Sequence, residues 1–151
     1  MKVLIDADAC PVTDIAIRIC REYDVPCRLF CDTAHDFQRD GVSTVICDQG
    51  ADSADFVLAN QTMPGDLVIT QDYGLASMCL ARSAAVFHQD GWEYTPDNID
   101  ALLLVRHDAR KLRAAGGRTK GPRKRTAAQD QMFSAAFRQK LEQLAQNRLQ
   151  G

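Results

Sequence analysis

Five short apolar runs, none with polar alternation, recur along the chain with helical patterns between them. They are residues 2–6 (KVLID), 26–31 (PCRLFC), 43–47 (STVIC), 67–70 (LVIT) and 84–88 (AAVFH). A strand that is apolar at successive positions must be covered on both faces. Alternation of such strands with helices gives a parallel sheet sandwiched between helical layers. The chain therefore predicts an α/β fold: a three-layer α/β/α sandwich around a mostly parallel sheet of four to five strands, plus a C-terminal helix.

The helices have their own signals. One is predicted from Pro11 to about Tyr23, with Pro11 at the first helical position and Val12, Ile15, Ala16 and Ile19 as its apolar stripe. Others span about 52–61, Tyr73 to about Ala81, and Pro96–Asp97–Asn98 to about Ala114. The fourth carries Ile99, Leu102, Leu103 and Arg106 at helical spacing. Residues 115–125 form a Gly- and base-rich loop. Thr126-Ala127-Ala128-Gln129 fits a capping box. The helix it opens runs to about Leu149 with Phe133, Phe137, Leu141 and Leu144 on one face. At 151 residues the chain is about one domain. It is read as a single domain over 1–151, with loop 115–125 and helix 126–149 as an extension. It has no apolar run long enough to span a bilayer and no secretory signal at its start, so the expected location is the cytoplasm with no membrane partner.

The acids are skewed in type: 17 Asp against 3 Glu. Asp suits caps, turns and metal sites, because its carboxylate stays close to the backbone. Asp6 and Asp8 follow the first strand, Asp72 follows LVIT, and Asp52 and Asp55 stand where the second helix begins. In open α/β sheets ligands bind beyond the carboxyl ends of the strands, where strand order reverses. With strand order 3-2-1-4-5, Asp6, Asp8 and Asp72 share one mouth, with Asp52 and Asp55 over it. Carboxylates so gathered share protons or take up cations. Oxygen ligands alone select hard ions, so Mg²⁺ or Mn²⁺ is expected. Such ions hold a phosphodiester and activate water without a covalent nucleophile. Asp6, Asp8, Asp52, Asp55 and Asp72 are thus the candidate metal ligands, and Asp6, Asp8, Asp52 and Asp72 the candidate catalytic residues. Each is also open to the plainer reading of a helix cap.

Charge is unevenly placed. Residues 1–105 carry a net −11 and residues 106–151 a net +9. Arg118, Lys120, Arg123, Lys124 and Arg125 lie among glycines and suit phosphate contact, so nucleic acid, RNA in particular, is the expected partner. A solvated basic loop is the alternative. Six cysteines, with no CxxC pair, read as reduced and mostly buried thiols. Zinc does not suit their spacing. Trp92 and Tyr94 suit packing or base stacking, and Tyr73 lies beside Asp72.

Several of these segments together resemble the YaiI/YqxD family of small bacterial proteins: DADACPV at 6–12, GADSAD at 50–55, GDLVITQDYGLA at 65–76, NID at 98–100 and RTKGPRKR at 118–125. The resemblance covers almost the whole chain. It implies a PIN-like, Rossmann-like fold of the PIN/NYN nuclease kind, whose members are metal-dependent and often act on RNA. It implies that Asp6, with Asp8 beside it, is the acid ending the first strand. Asp52, in its GxD context, or Asp55 is the acid opening the helix before the fourth strand. Asp72, in ITQD, is the acid ending that strand. This chain has Gly74 where such relatives often carry a further acid. The resemblance also implies a homodimer as a candidate assembly, with the C-terminal helix as a candidate surface.

Three functions follow as expectations. The first is a metal-dependent ribonuclease or nuclease. The second is a haloacid-dehalogenase-like phosphatase with Asp6 as nucleophile and Asp8 as acid, against which stands the lack of any lysine between Lys2 and Lys111. The third is a non-catalytic RNA-binding protein.

Overall fold

The computed structural model describes residues 1–8, 10–32, 39–47, 53–114 and 124–150, and the side chains of all these except 53, 106–114 and 150. Its elements run β1 (Val3–Asp6), α1 (Thr13–Glu22), β2 (Cys27–Asp32), β3 (Ser43–Cys47), α2 (Ser53–Gln61), β4 (Leu67–Ile69), α3 (Tyr73–Leu80), β5 (Ala85–Phe87), β6 (Glu93–Tyr94), α4 (Pro96–Ala114) and α5 (Ala127–Gln150). They form one sheet in the order β3-β2-β1-β4-β5-β6. The first five strands are parallel, and β6 turns back antiparallel to β5. The anticipated order 3-2-1-4-5 is the observed one, with β6 added at its edge.

The centre of the sheet is buried on both faces, as its sequence requires. Val3, Leu4 and Ile5 are all fully buried. Their side chains alternate between two cores, because the strand period is two. Val3, Ile5, Leu29, Leu67 and Ile69 face one core, with Ala16 and Ile19 of α1 and Phe133, Phe137 and Leu141 of α5. Leu4, Phe30, Val68 and Val86 face the other, with Leu58 of α2, Leu75 of α3 and Ile99 of α4. Two helices therefore cover one side and three the other, which is the sandwich.

Three local expectations change. α1 begins at Thr13, so Pro11 precedes the helix instead of starting it, and Val12 occupies the cap without a side-chain bond. The sheet has a sixth strand. And α5 is built into the core: Phe133, Phe137 and Leu141 are fully buried, with the two phenyl rings stacked at 5.3 Å. It is thus a layer of the sandwich, where the sequence suggested an extension. Its capping box does form. The Thr126 N–H donates to Gln129 Oε1 at 2.8 Å and the Gln129 N–H donates to Thr126 Oγ1 at 3.3 Å. The same reciprocal device opens α4 between Thr95 and Asn98, at 2.9 and 3.2 Å.

α5 is also fastened to the β5–β6 turn. Arg125 Nη1 donates to Asp90 Oδ1 at 2.9 Å, its Nη2 to the Gln89 carbonyl at 2.7 Å and its Nε to Asp130 Oδ1 at 2.5 Å. Between them the turn presses on the helix backbone. Gly91 has φ +93°, and a Cβ there meets the Met132 carbonyl oxygen at 2.9 Å. Gly91→Ala is therefore expected to cost about 1–3 kcal/mol, from left-handed strain plus the clash. Urea unfolding checks this, and an unchanged midpoint shows that the turn has room to move. Among the described residues, no helix is long and apolar enough to cross a membrane.

Candidate functional site

The strand order puts β1 beside β4, and the chain leaves the carboxyl ends of these two strands in opposite directions across the sheet. Asp6 ends β1. Thr70 and Asp72 follow β4. A single hydroxyl joins them: Thr70 Oγ1 donates to Asp6 Oδ2 at 2.9 Å and accepts the Asp72 N–H at 3.0 Å. Thr70 is itself 2% exposed, fixed by its N–H to the Phe87 carbonyl and by the Tyr94 hydroxyl, which donates to its carbonyl at 3.2 Å. Thr70 belongs to the site, and the sequence reading passed over it. Its signal was the polar residue closing the apolar LVIT run.

Burial pushes the Asp6 carboxyl up to about 6; the Thr70 hydrogen bond opposes this, and the nearby charges of Asp72 and Asp8 add to it. Asp6 therefore feels the charges of both other acids expected at this mouth. Asp8 Oδ2 accepts the Asp32 N–H at 3.0 Å, which ties the turn after β1 to the end of β2. Asp72 is also the N-cap of α3, its Oδ1 accepting the Gly74 and Leu75 N–H groups at 2.8 and 3.1 Å. The cap reading holds for this residue, which also stands just beyond the carboxyl end of β4. Asp55, in the first turn of α2, and Asp6 both act on the Cys79 thiol, which burial raises to about 11. Asp55 belongs to the first turn of the helix that follows the carboxyl end of β3. Asp52 lies outside the described residues.

Aromatic rings line the β4–β6 side. Tyr73 meets Tyr94 edge-on at 5.9 Å, Tyr94 meets Trp92 at 4.6 Å, and Trp92 stacks on His88 at 4.5 Å. Tyr94 is buried and Trp92 packs partly buried against the second core, so both serve packing. His88 Nδ1 accepts the Asp90 N–H at 3.1 Å, and burial lowers the ring's pKa.

Of the basic cluster, Arg118, Lys120 and Arg123 lie outside the described residues. Lys124 is exposed. Arg125 is turned inward onto Asp90, Asp130 and Gln89, so it holds the fold together at the rim of the mouth. The charges of both Arg125 and Asp6 reach the thiol of Cys10.

The donor chemistry at the mouth, all carboxylate and hydroxyl oxygen, suits a hard cation. Among the described residues, no group of three or more His, Cys, Asp or Glu side chains is close enough to hold a metal by itself. A cavity of about 610 Å³ lies elsewhere, between α1 and α5, and includes none of these acids.

Comparison with known proteins fits the same span. The family profile described as "Uncharacterized BCR, YaiI/YqxD family" matches residues 4–143. The chain belongs to the YaiI/YqxD family. A UPF0178 protein of Exiguobacterium sibiricum is 51% identical over 137 residues, covering 91% of this chain and 94% of that protein. A UPF0178 protein of Clostridium acetobutylicum is 47% identical over 140 residues, covering 91% and 95%. One from Natranaerobius thermophilus is 43% identical over 145 residues, covering 95% and 98%. No solved structure matches the chain. The family segments map onto the geometry: DADACPV leaves β1, and GDLVITQDYGLA carries β4, Thr70, Asp72 and the start of α3.

Proposed function

We propose that this YaiI/YqxD protein is a cytoplasmic, divalent-metal-dependent nuclease with a PIN-like fold, hydrolysing phosphodiesters in RNA or other single-stranded nucleic acid. The observation that carries this reading is the Thr70 hydroxyl, which draws Asp6 and Asp72 to one mouth at the switch point of the sheet. Asp6, Asp72 and Asp8 would hold Mg²⁺ or Mn²⁺, with Asp55 and Asp52 on the α2 side. Magnesium commonly takes only one or two carboxylates and completes its shell with water and substrate phosphate, so a preformed cage is not required. When bound, the ion supplies Lewis acidity toward a phosphate oxygen and a more acidic water. The chain supplies the rest. Thr70 orients the Asp6 carboxylate, and the α3 cap orients Asp72. Phosphate contact falls to Lys124 with Arg118, Lys120 and Arg123.

A phosphatase with Asp6 as nucleophile is less well supported. Asp6 Oδ2 is engaged by the Thr70 hydroxyl, which takes up one of the two oxygens that would attack phosphorus. Lys2, the sole lysine before Lys111, is bound to Asp66 at the other end of β1.

The test is calorimetric titration of Mn²⁺ into chelator-treated protein, wild type against Asp72→Asn, followed by RNA cleavage. Asparagine also caps helices, so the variant is expected to fold. Saturable binding in the wild type, lost in the variant together with cleavage but not RNA binding, supports the reading. No Mn²⁺ uptake by the wild type, even with RNA present, overturns it. RNA binding without turnover under any divalent ion then leaves a binding protein.

A further inference from the structure

A second chemical cluster lies at the opposite end of β2 from the acidic mouth. Cys20, in the last turn of α1, and Cys27, the first residue of β2, line one cavity of about 290 Å³ with Ile17, Arg21, Gly41 and Val42. The Val25 N–H donates to the Cys20 carbonyl at 2.9 Å, folding the short connection back so that both residues share a wall. The two thiols interact directly, and that contact, with burial, raises the Cys20 pKa far above the ordinary thiol range. Cys20 is 1% exposed, whereas Cys27 is only partly buried. Nothing in the acidic site uses either sulfur.

We infer that Cys20 and Cys27 form a peroxide-responsive dithiol, which closes to a disulfide on oxidation and reopens with a thiol reductant. Cys27 reacts first, because it is the more accessible of the two and lines the cavity. Its sulfur attacks one peroxide oxygen; the O–O bond breaks, the other oxygen leaves as water, and Cys27 becomes a sulfenic acid. The Cys20 sulfur then attacks the Cys27 sulfur and gives up its proton. The S–S bond forms, the S–O bond breaks, and a second water leaves. Two thiols are oxidised to one disulfide, and one hydrogen peroxide is reduced to two waters. Reduced thiols are the resting state in a reducing compartment, where disulfides are mostly transient or sensing.

The experiment treats the reduced full-length protein with hydrogen peroxide, alkylates the remaining thiols and maps peptides by mass. The expected product has lost two hydrogens, carries a Cys20–Cys27 link, leaves the other four cysteines alkylated, and reverts with dithiothreitol. In Cys20→Ser, Cys27 is expected to gain oxygens as sulfinic or sulfonic acid. Cys27→Ser lies at the less buried position and covers the case in which the first variant does not fold; it is expected to form no disulfide. Six alkylated thiols after peroxide, or a link through any other pair, overturns the inference.

Discussion

Asp66→Ala is expected to cost the fold about 3–5 kcal/mol, the range for breaking a buried ion pair from one side. Asp66 is 3% exposed and precedes β4. It accepts the Lys2 ammonium at 2.6 Å, the Lys2 N–H at 3.1 Å and the Met63 N–H at 2.8 Å. One side chain thus satisfies the entry of β1 and the turn into β4. Removing it leaves a largely enclosed ammonium and two N–H groups without their acceptor. Lys2 keeps some exposure, with 17% of its side chain open, and partial hydration favours the lower end of the range. The paired variant Lys2→Met/Asp66→Leu removes both charges and is expected to lose less than Asp66→Ala alone. Urea unfolding of the three proteins checks this. A loss below about 1 kcal/mol, the size of an exposed pair, sinks the argument.

The opposite sign is expected at the mouth. Asp6→Asn should stabilise chelator-treated protein at pH 7.5 by up to roughly 3 kcal/mol, following from a rise of about two pKa units. The native carboxyl sits near 6 against 3.8 in the unfolded chain, so the folded state holds the extra proton. Asp6's contribution is present in full below pH 3.8 and is lost as pH rises through about 6. Asparagine resembles the protonated form and still accepts the Thr70 hydroxyl. The variant should therefore lack the wild type's decline in stability across that window. Measured stability at pH 4, 5, 6 and 7.5 decides it, and parallel profiles for the two proteins show that Asp6 is not strained. A residue that weakens its own fold is one retained for another purpose, here the proposed binding of a cation.

The sheet was legible because its central strands, β1 and β4, are apolar at successive positions, and a parallel strand buried on both faces leaves no other pattern. The mouth followed from strand order alone, since Asp6 and Asp72 had only to be placed at neighbouring strand ends. What stayed hidden is non-local or very short. β6 has two residues, Glu93 and Tyr94, too few for any periodicity. The Lys2–Asp66 pair spans 64 positions, and nothing near either residue announces the other. Arg125 sits in a basic run that reads as phosphate-binding, yet its partners Asp90 and Gln89 come from a turn more than thirty positions earlier. Asp72 was readable as either a cap or a site acid, because one carboxylate does the capping while standing at the switch point. The face of α5 was correctly drawn from Phe133, Phe137 and Leu141, but only tertiary packing fixes which surface takes it.

The placement of α5 has a consequence for synthesis. It packs against α1, and Tyr23 reaches Glu142 while Glu22 reaches Arg138, contacts 119 and 116 positions apart. A ribosome makes the chain from the other end. Until α5 emerges, the side of β1 bearing Val3 and Ile5 lacks Phe133, Phe137 and Leu141, so one of the two cores stays open while residues 1–126 are made. Domains of this kind complete folding only after their last helix is free. A nascent chain stalled before residue 127 should therefore be a target for chaperones, whereas one released with α5 intact should not.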